Sequence, residues 1–237
     1  DRLQVAFEGQ RRFIASASHE LRTPLAVMGA TVDVVLDNPA STPADLREMA
    51  TDVRAAVDHA EHLIGALLIL AHNERGLTVH DEVDLATVAE DVLDTAALRD
   101  LRVHATLEPA VISGDPVLVE RLVANLVDNA VRYNTAAGEI WVSTRTVAGK
   151  SHLTVANTGP PIRPADVDRI FQPFQRLNDR ASQEGFGLGL TIVASIAEVH
   201  GGIATARPRN DGGLSITVTI PVLTELGVQL GGERGFS

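Results

Sequence analysis

His19 lies in a polar segment near the start of the chain, with Glu20 and Thr23 close by. A neutral imidazole is a nucleophile near pH 7, because its unperturbed pKa is about 6.5. Glu20 can accept a hydrogen bond from Nδ1 of the imidazole and leave Nε2 free to attack. On a helix, the Thr23 hydroxyl shares the face of His19. Alone, the pattern also fits a solvated surface histidine, so other segments must decide between the two interpretations.

A second group of polar side chains follows one face of a later predicted helix. Asn125 and Asn129 are four residues apart, as are Asn129 and Tyr133, so the three share a face. Burying two carboxamides on a mostly apolar helix is costly without partners. Carboxamide oxygens suit Mg²⁺, which also keeps water and phosphate oxygens as ligands. The same pattern is compatible with a pair of surface amides.

Two glycine-containing segments have the character of a nucleotide site. Residues 157–162, Asn-Thr-Gly-Pro-Pro-Ile, end a predicted strand and offer a hydrogen-bonding edge to a base, or form a simple turn. Glycines alternate at positions 185, 187 and 189 before a predicted helix, where backbone amides can approach a phosphate. This is not the dinucleotide fingerprint, which needs a glycine where Leu190 stands, and no P-loop pattern is present.

Two amphipathic helices are predicted to position His19. Apolar or small residues recur at gaps of three and four in two stripes, which a stop signal at Asp37–Pro39 separates. Thr42, Pro43 and Asp45 mark the start of the second helix. The stripes consist of Ile14, Ala17, Leu21, Leu25, Met28, Val32 and Val35, and of Leu46, Met49, Val53, Val57, Ala60, Ile64, Leu67 and Ala71. One hairpin cannot bury both stripes, so we predict a homodimeric four-helix bundle; packing on the C-terminal part is the alternative.

The rest of the chain mixes helix and strand patterns after a predicted linker at residues 74–82. Helices are predicted at residues 84–98, 115–130 and 188–199, and strands at residues 102–107, 139–145, 152–155, 203–206 and 214–220. This order favours a sheet with helices on one face. The predicted fold class is therefore an all-α helical hairpin followed by an α/β two-layer sandwich.

Composition excludes several functions. Hydrophobic residues make up 45% of the 237 residues, which is enough for a core, and the absence of cysteine excludes disulfides, thiolate zinc sites and a cysteine nucleophile. A formal net charge of −11 argues against nucleic-acid binding. No apolar run reaches the ~20 residues of a membrane helix, so no membrane contact is expected within this fragment. We expect the chain to be a piece of a longer protein.

Taken together and in this order, the segments resemble the transmitter core of bacterial sensor histidine kinases of two-component signalling. The matching motifs are the phosphoacceptor helix at residues 13–25 (FIASASHELRTPL), the Asn box at 125–134, the first glycine box at 157–161, the Phe box at 171–174 and the second glycine box at 185–190. The resemblance covers residues 10–222. It implies a dimerisation and phosphotransfer domain at 1–74, a Bergerat-type catalytic ATP-binding domain at 83–222 and a flexible tail at 223–237.

The resemblance also implies roles for individual residues. His19 would take the γ-phosphoryl group of ATP with Glu20 as general base, and would pass it to an aspartate of a response regulator receiver domain. Thr23 would serve dephosphorylation of that regulator, and Asn129 would bind Mg²⁺. ATP contacts are implied for Asn125, Asn129, Arg132, Tyr133, Asn157, Gly159, Pro161, Ile162, Gly185, Gly187, Leu188 and Gly189. The homodimer would form through residues 10–74, residues 172–186 would be a lid, and the whole would be the cytoplasmic part of a membrane sensor.

Three positions qualify this assignment. The family usually has aspartate at Asn157 and glycine at Pro161, so the Asn157 carbonyl would accept from the adenine amino group and its amide would donate to ring N1, without a charge-assisted bond. ATP binding is still expected, but more weakly. Asn125 stands where related ATPases have a water-activating glutamate. An ATP-blind dimeric interaction module, or an ATPase of the same fold without histidine transfer, are the alternatives.

Overall fold

The computed structural model describes residues 22, 24–38, 40–72, 79–98, 100–173 and 187–222. Its first part is a helical hairpin of α1, through residues 24–36, and α2, at Pro43–His72. At the start of α2, the Thr42 N–H and hydroxyl donate to Asp45 Oδ2 at 2.8 and 2.9 Å, and the Asp45 N–H donates to the Thr42 hydroxyl at 3.3 Å. These reciprocal bonds confirm the predicted capping box.

The α/β part follows the hairpin. Its elements are β1 (Asp81–Asp84), α3 (Leu85–Thr95), β2 (Arg102–Leu107), β3 (Val111–Gly114), α4 (Pro116–Arg132), β4 (Glu139–Val147), β5 (Lys150–Asn157), a 3-10 helix (Pro164–Arg169), α5 (Gly189–Val199), β6 (Ile203–Pro208) and β7 (Leu214–Pro221). The main sheet has the order β2-β4-β5-β7-β6, in which β2 and β4 are parallel and the other neighbours antiparallel. β1 and β3 form a separate antiparallel pair.

The predicted helices and strands are present, with β5 longer than predicted. Strands β1 and β3 and the 3-10 helix were missed, and β1 begins inside the predicted linker. The reason is local: β1 has the sequence Asp-Glu-Val-Asp, in which Val83 is the single buried residue. Four residues with one apolar side chain carry too little alternation to indicate a strand.

Helices α3, α4 and α5 cover one face of the main sheet. Alternate strand residues point into this layer, among them Ile140 and Val142 of β4, Leu153 of β5 and Val218 of β7, all buried. On α4 the buried residues are Val119, Leu122, Val123, Leu126, Val127 and Ala130. On β4 and β7 the intervening positions are partly or fully exposed. The predicted two-layer α/β sandwich is therefore confirmed. None of the described helices has the length and hydropathy to span a bilayer.

α2 also contacts α5 of the α/β part. Ala56 of α2 is 8% exposed, while Leu46 and Ile64 of the predicted α2 stripe are each 47% exposed. One side of the stripe is thus covered within the chain and another side is open. On α1, Leu25 was predicted to be in the buried stripe but is 60% exposed, whereas Val32 is partly buried.

His200 ties the end of α5 to the start of α4. It is buried, Nδ1 lies 2.7 Å from Ile196 O, and Nε2 accepts the Asp115 N–H at 3.2 Å. This pairing requires the neutral tautomer with its proton on Nδ1. Asp115 in turn caps α4 by accepting from the Val117 N–H at 2.9 Å. Burial lowers the pKa of His200 below its usual 6.5.

We expect this histidine to make stability pH-dependent. Between the lowered pKa of the folded state and 6.5, the unfolded chain binds a proton that the folded chain does not, so the free energy of unfolding falls as the pH falls through that window. His200→Gln should flatten this slope. Urea unfolding at pH 5.0, 6.0 and 7.5 measures it, with His152→Gln on β5 as the matched variant, because the charge of His80 itself lowers the pKa of His200. Equal slopes in wild type and His200→Gln would contradict the expectation.

Candidate functional site

The site is built along the last two turns of α4 and its C-cap, Tyr133. Asn125, Asn129, Arg132 and Tyr133 are all partly buried, and the first, second and fourth follow one another at four-residue intervals. At 1.5 Å per residue, Asn125 and Tyr133 are about 12 Å apart along the helix axis. A second element of the structure meets α4 near each end of this row.

At the Asn125 end, the row meets the start of α5. A Cβ atom placed on Gly189 would lie 3.3 Å from Asn125 Oδ1, and Gly187 has φ +68°. The Asn125 Nδ2 donates to Arg121 O at 2.7 Å. Among the described residues, no side chain caps the start of α5, whereas Asp84 caps α3 and Asp115 caps α4. The first N–H groups of α5 therefore have no side-chain acceptor in this part of the chain, and a helix N-terminus attracts anions.

At the Tyr133 end, the row meets the end of β5. Asn157 is 3% exposed, and its Nδ2 donates to Thr158 O at 2.7 Å and lies 3.5 Å from Tyr133 O. Both amide hydrogens are thus directed at backbone carbonyls. The predicted donation from this amide to an adenine ring nitrogen does not fit this conformation, which leaves Oδ1 as the group to accept from a ligand.

The loop after Asn157 is closely backed by the turn between β6 and β7. A Cβ atom on Gly159 would lie 2.6 Å from Tyr133 O, and a Cβ atom on Gly213 would lie 1.9 Å from Asn157 O. Gly212 and Gly213 have φ of +88° and +87°, and the Gly213 N–H donates to Pro160 O at 3.1 Å. Sequence reasoning missed these two glycines as part of the site. Their signal was a Gly-Gly pair in a hairpin turn, which says nothing about what the turn contacts.

Asn134 connects the end of α4 with β4 and with the end of β5. Its Nδ2 donates to Ala130 O at 3.2 Å and Glu139 O at 3.1 Å, and its Oδ1 accepts from the Thr158 hydroxyl. The Thr158 hydroxyl also accepts from the Glu139 N–H at 2.8 Å. These bonds hold the end of α4 to β4 and to the end of β5. Asn134 was part of the matched Asn box, but its positioning role was not predicted.

Asn129 occupies the middle of the row, and Arg132, next to Tyr133, extends its guanidinium back to this level. Within the described part of the chain, no hydrogen bond engages the Asn129 carboxamide, so its oxygen is available to a cation or a phosphate-bound water. Arg132 forms an ion pair with Asp128 at 3.2 Å. An amide oxygen and a guanidinium in a row that ends at a helix N-terminus suit a magnesium-bound polyphosphate.

The remaining predicted residues divide into two groups. Pro161 is exposed and Ile162 is partly buried, so the side chains of both can meet a ligand, whereas Leu188 is buried and offers its backbone. His19, Glu20, Thr23 and Gly185 lie outside the described residues, as do residues 174–186 of the predicted lid. The structure therefore brings together the Asn-box and glycine-box residues that it describes.

Two family models match the chain. Residues 9–76 match the His Kinase A (phospho-acceptor) domain, and residues 114–224 match the histidine kinase-, DNA gyrase B- and HSP90-like ATPase family. The first match ends just after α2, and the second begins at the end of β3, inside the α/β part. The two matches agree with the order of motifs along the sequence.

Curated relatives and a solved structure agree with these models. The sensor protein CutS of Streptomyces coelicolor is 43% identical over 94% of this chain and 55% of its own length. The histidine-protein kinase/phosphatase MprB of Mycolicibacterium vanbaalenii is 31% identical over 87% of this chain and 44% of its own length. The histidine kinase ThkA, solved in complex with the response regulator protein TrrA, has the same fold with a TM-score of 0.70 at 21% identity, over 93% of this chain and 63% of that one. The chain thus spans about half the length of the curated relatives it matches.

Proposed function

Because the chain belongs to the sensor histidine kinases of two-component signalling, we propose that it transfers the γ-phosphoryl group of ATP to His19 and from there to an aspartate of a response regulator. The observation that carries the nucleotide part is the row on α4. One end of the row meets a buried carboxamide that can read a base, and the other end meets a helix N-terminus that can hold phosphate. A nucleoside triphosphate likewise has a base at one end and phosphates at the other.

Each residue of the site has its own contact with the nucleotide in this proposal. Asn157 Oδ1 accepts from the exocyclic amine of adenine, and Tyr133 lies at the same end. Arg132 and the first N–H groups of α5 hold the phosphates. Asn129 offers its oxygen to Mg²⁺, which when bound neutralises charge on the phosphates. Phosphoryl transfer needs mainly positioning and charge neutralisation, so few protein groups take part in covalent chemistry.

At the phosphoacceptor, His19 Nε2 attacks the γ-phosphorus, the bond from this phosphorus to the β–γ bridging oxygen breaks, and ADP leaves, while Glu20 holds or accepts the proton of Nδ1. Asn125 favours this transfer over hydrolysis. Its carboxamide cannot accept a proton from water as a carboxylate can, and its Nδ2 is bonded to Arg121 O. The ATPase alternative therefore lacks a base at this position.

We propose that the chain acts as a homodimer through residues 10–74. The line of partly buried residues on α1 has exposed apolar residues on both flanks, Leu25 and Leu36 on one and Val34 on the other. Leu36 is 75% exposed and Val34 is 71% exposed. A second hairpin would cover both flanks and complete a four-helix bundle. The exposed stripe residues Leu46 and Ile64 of α2 support the same arrangement.

The names of two relatives support our proposals for the partner and for the reverse reaction. ThkA was solved with a response regulator, and MprB is named a kinase/phosphatase. For this chain we propose a receiver domain as partner, with Thr23 positioning water for dephosphorylation of the regulator. We also propose that the chain is the cytoplasmic part of a membrane-anchored sensor.

The nucleotide assignment predicts the effects of two substitutions at Asn157. Asn157→Ala removes the base-reading oxygen and should weaken Mg²⁺–ATP binding about tenfold, whereas Asn157→Asp keeps an acceptor and should still bind. Titration calorimetry with ATP measures both. Tripolyphosphate is the control ligand, because it lacks the base and should bind both variants as it binds wild type. Loss of ATP binding in Asn157→Asp would contradict this account of the contact.

The test of the proposed function is transfer of radiolabel from γ-labelled Mg²⁺–ATP to the chain. We expect a protein-bound label that is stable in base and labile in acid, as a phosphohistidine is. ATP binding without label would contradict the transfer step and keep the nucleotide site. Neither label nor binding would favour the ATP-blind interaction module.

A further inference from the structure

The outer face of the main sheet, opposite the helices, carries a stack of three side chains. Trp141 of β4 stacks on His104 of β2, with ring centroids 5.6 Å apart and an interplanar angle of 13°. The Arg209 guanidinium carbon lies 3.9 Å from the centroid of the Trp141 ring. His104 Nε2 is 3.3 Å from the Glu139 carboxylate. The indole is thus held by neighbours from two separate parts of the sheet.

Arg209 reaches the indole from the turn after β6, across the strands β5 and β7. Trp141 is paired with Ala156 of β5, which is paired with Ser215 of β7. Two small side chains between Trp141 and β6 leave room on the sheet surface for the long arginine. Arg209 Nε is buried and, among the described residues, has no hydrogen-bond partner. The face of the indole is therefore the group that stabilises this part of the guanidinium.

The backbone of Arg209 belongs to the β6–β7 turn. This turn packs against the loop at residues 158–161, which we call the base-reading loop. Its N–H donates to Gly213 O at 3.1 Å, and its carbonyl accepts from the Gly212 N–H at 3.2 Å. Gly213 in turn donates to Pro160 O and fits against Asn157 O without room for a Cβ atom. A continuous set of contacts therefore runs from Trp141 on the outer face to Asn157 in the site.

We propose that Arg209 is a positioning residue for adenine recognition: its stack on Trp141 fixes the β6–β7 turn, and the turn fixes the direction of Asn157 Oδ1. This inference rests on the proposed function. A carboxamide oxygen distinguishes the N6 amino group of adenine, a donor, from O6 of guanine, an acceptor. Loosening the turn therefore reduces selectivity for adenine over guanine, whereas the phosphate contacts at α5 are unaffected.

The test compares Arg209→Leu, Arg209→Lys and wild type, with Arg207→Leu as the matched control. Arg207 is exposed on β6 and paired with Ser215, so its loss makes the same charge change on the same sheet face. Affinities for non-hydrolysable ATP and GTP analogues are measured by calorimetry. Hydrogen exchange at the Gly213 amide without nucleotide reports the turn itself, and thermal unfolding reports global stability.

We expect Arg209→Leu to weaken ATP-analogue binding about fivefold, to leave GTP-analogue binding unchanged and to speed exchange at Gly213. Arg209→Lys, which keeps a cation over the indole, should recover most of the ATP affinity, and Arg207→Leu should behave as wild type. Unchanged exchange, or faster exchange with unchanged adenine selectivity, would overturn the inference. Equal losses for both analogues would overturn it in favour of a merely structural role. A wild-type chain that binds neither analogue would instead refute the proposed function, and that result appears before any variant is compared.

Discussion

His19→Gln is expected to reduce γ-phosphoryl labelling of the chain to background while leaving ATP affinity unchanged. Glutamine approximates the size and polarity of the imidazole but has no nucleophilic nitrogen, so the phosphoramidate cannot form. The nucleotide site is built from α4, the end of β5 and the start of α5, and none of these contains His19. Radiolabel transfer and calorimetry on the same sample separate the two effects.

The control for this prediction is His80→Gln. His80 is exposed at the entry to β1, and its loss removes one imidazole without touching the proposed phosphoacceptor. It should label as wild type does. Persistence of acid-labile label in His19→Gln would show that another histidine accepts the phosphoryl group, and would refute the assignment of His19.

Gly213→Ala is expected to destabilise the α/β part by about 3 kcal/mol or more and to abolish ATP binding. Two costs coincide at this position. The backbone has φ +87°, which disfavours any residue with a Cβ atom, and that atom would lie 1.9 Å from Asn157 O and 2.8 Å from Gly159 N. Both are backbone atoms, so no side-chain rotation relieves the overlap. The turn must move away from the base-reading loop.

Gly149→Ala separates the two costs. Gly149 also has a positive φ, +72°, but no atom lies within 4 Å of a Cβ placed there. The variant Gly149→Ala should therefore show only the conformational effect, a loss of about 1 kcal/mol in the free energy of unfolding, and should bind ATP as wild type does. Urea unfolding and calorimetry measure both variants. If Gly213→Ala were no less stable than Gly149→Ala, the close approach of turn and loop would be wrong.

Local signals in the sequence were sufficient to predict most of the helices and strands. The capping box at Thr42 and Asp45, the proline at the start of α4 and the alternation in β7 each depend on residues a few positions apart. Such signals survive without tertiary context because side-chain caps and periodicity act within one turn or one strand. The order of the Asn and glycine motifs likewise identified the family from the sequence.

The sequence by itself also determined which chemistry the candidate residues can perform. Asn129 has an oxygen that can bind a cation, Asn125 cannot serve as a base, and the neutral imidazole of His19 has a nucleophilic nitrogen. These are properties of the side chains. The pairing of Asn125 with the start of α5 was implied by the resemblance, and the structure brings the two segments together.

Tertiary structure alone decided how the base-reading loop is held. Register between β5 and β7 places Leu214 opposite Asn157, which brings a turn more than fifty residues away against that loop. The same packing directs the Asn157 amide nitrogen to two backbone carbonyls and leaves its oxygen without a hydrogen bond among the described residues. It also lays Arg209 on Trp141 across two strands. Each of these contacts depends on which strands are neighbours. Local periodicity contains no information about strand order, because any partner strand satisfies the same alternation.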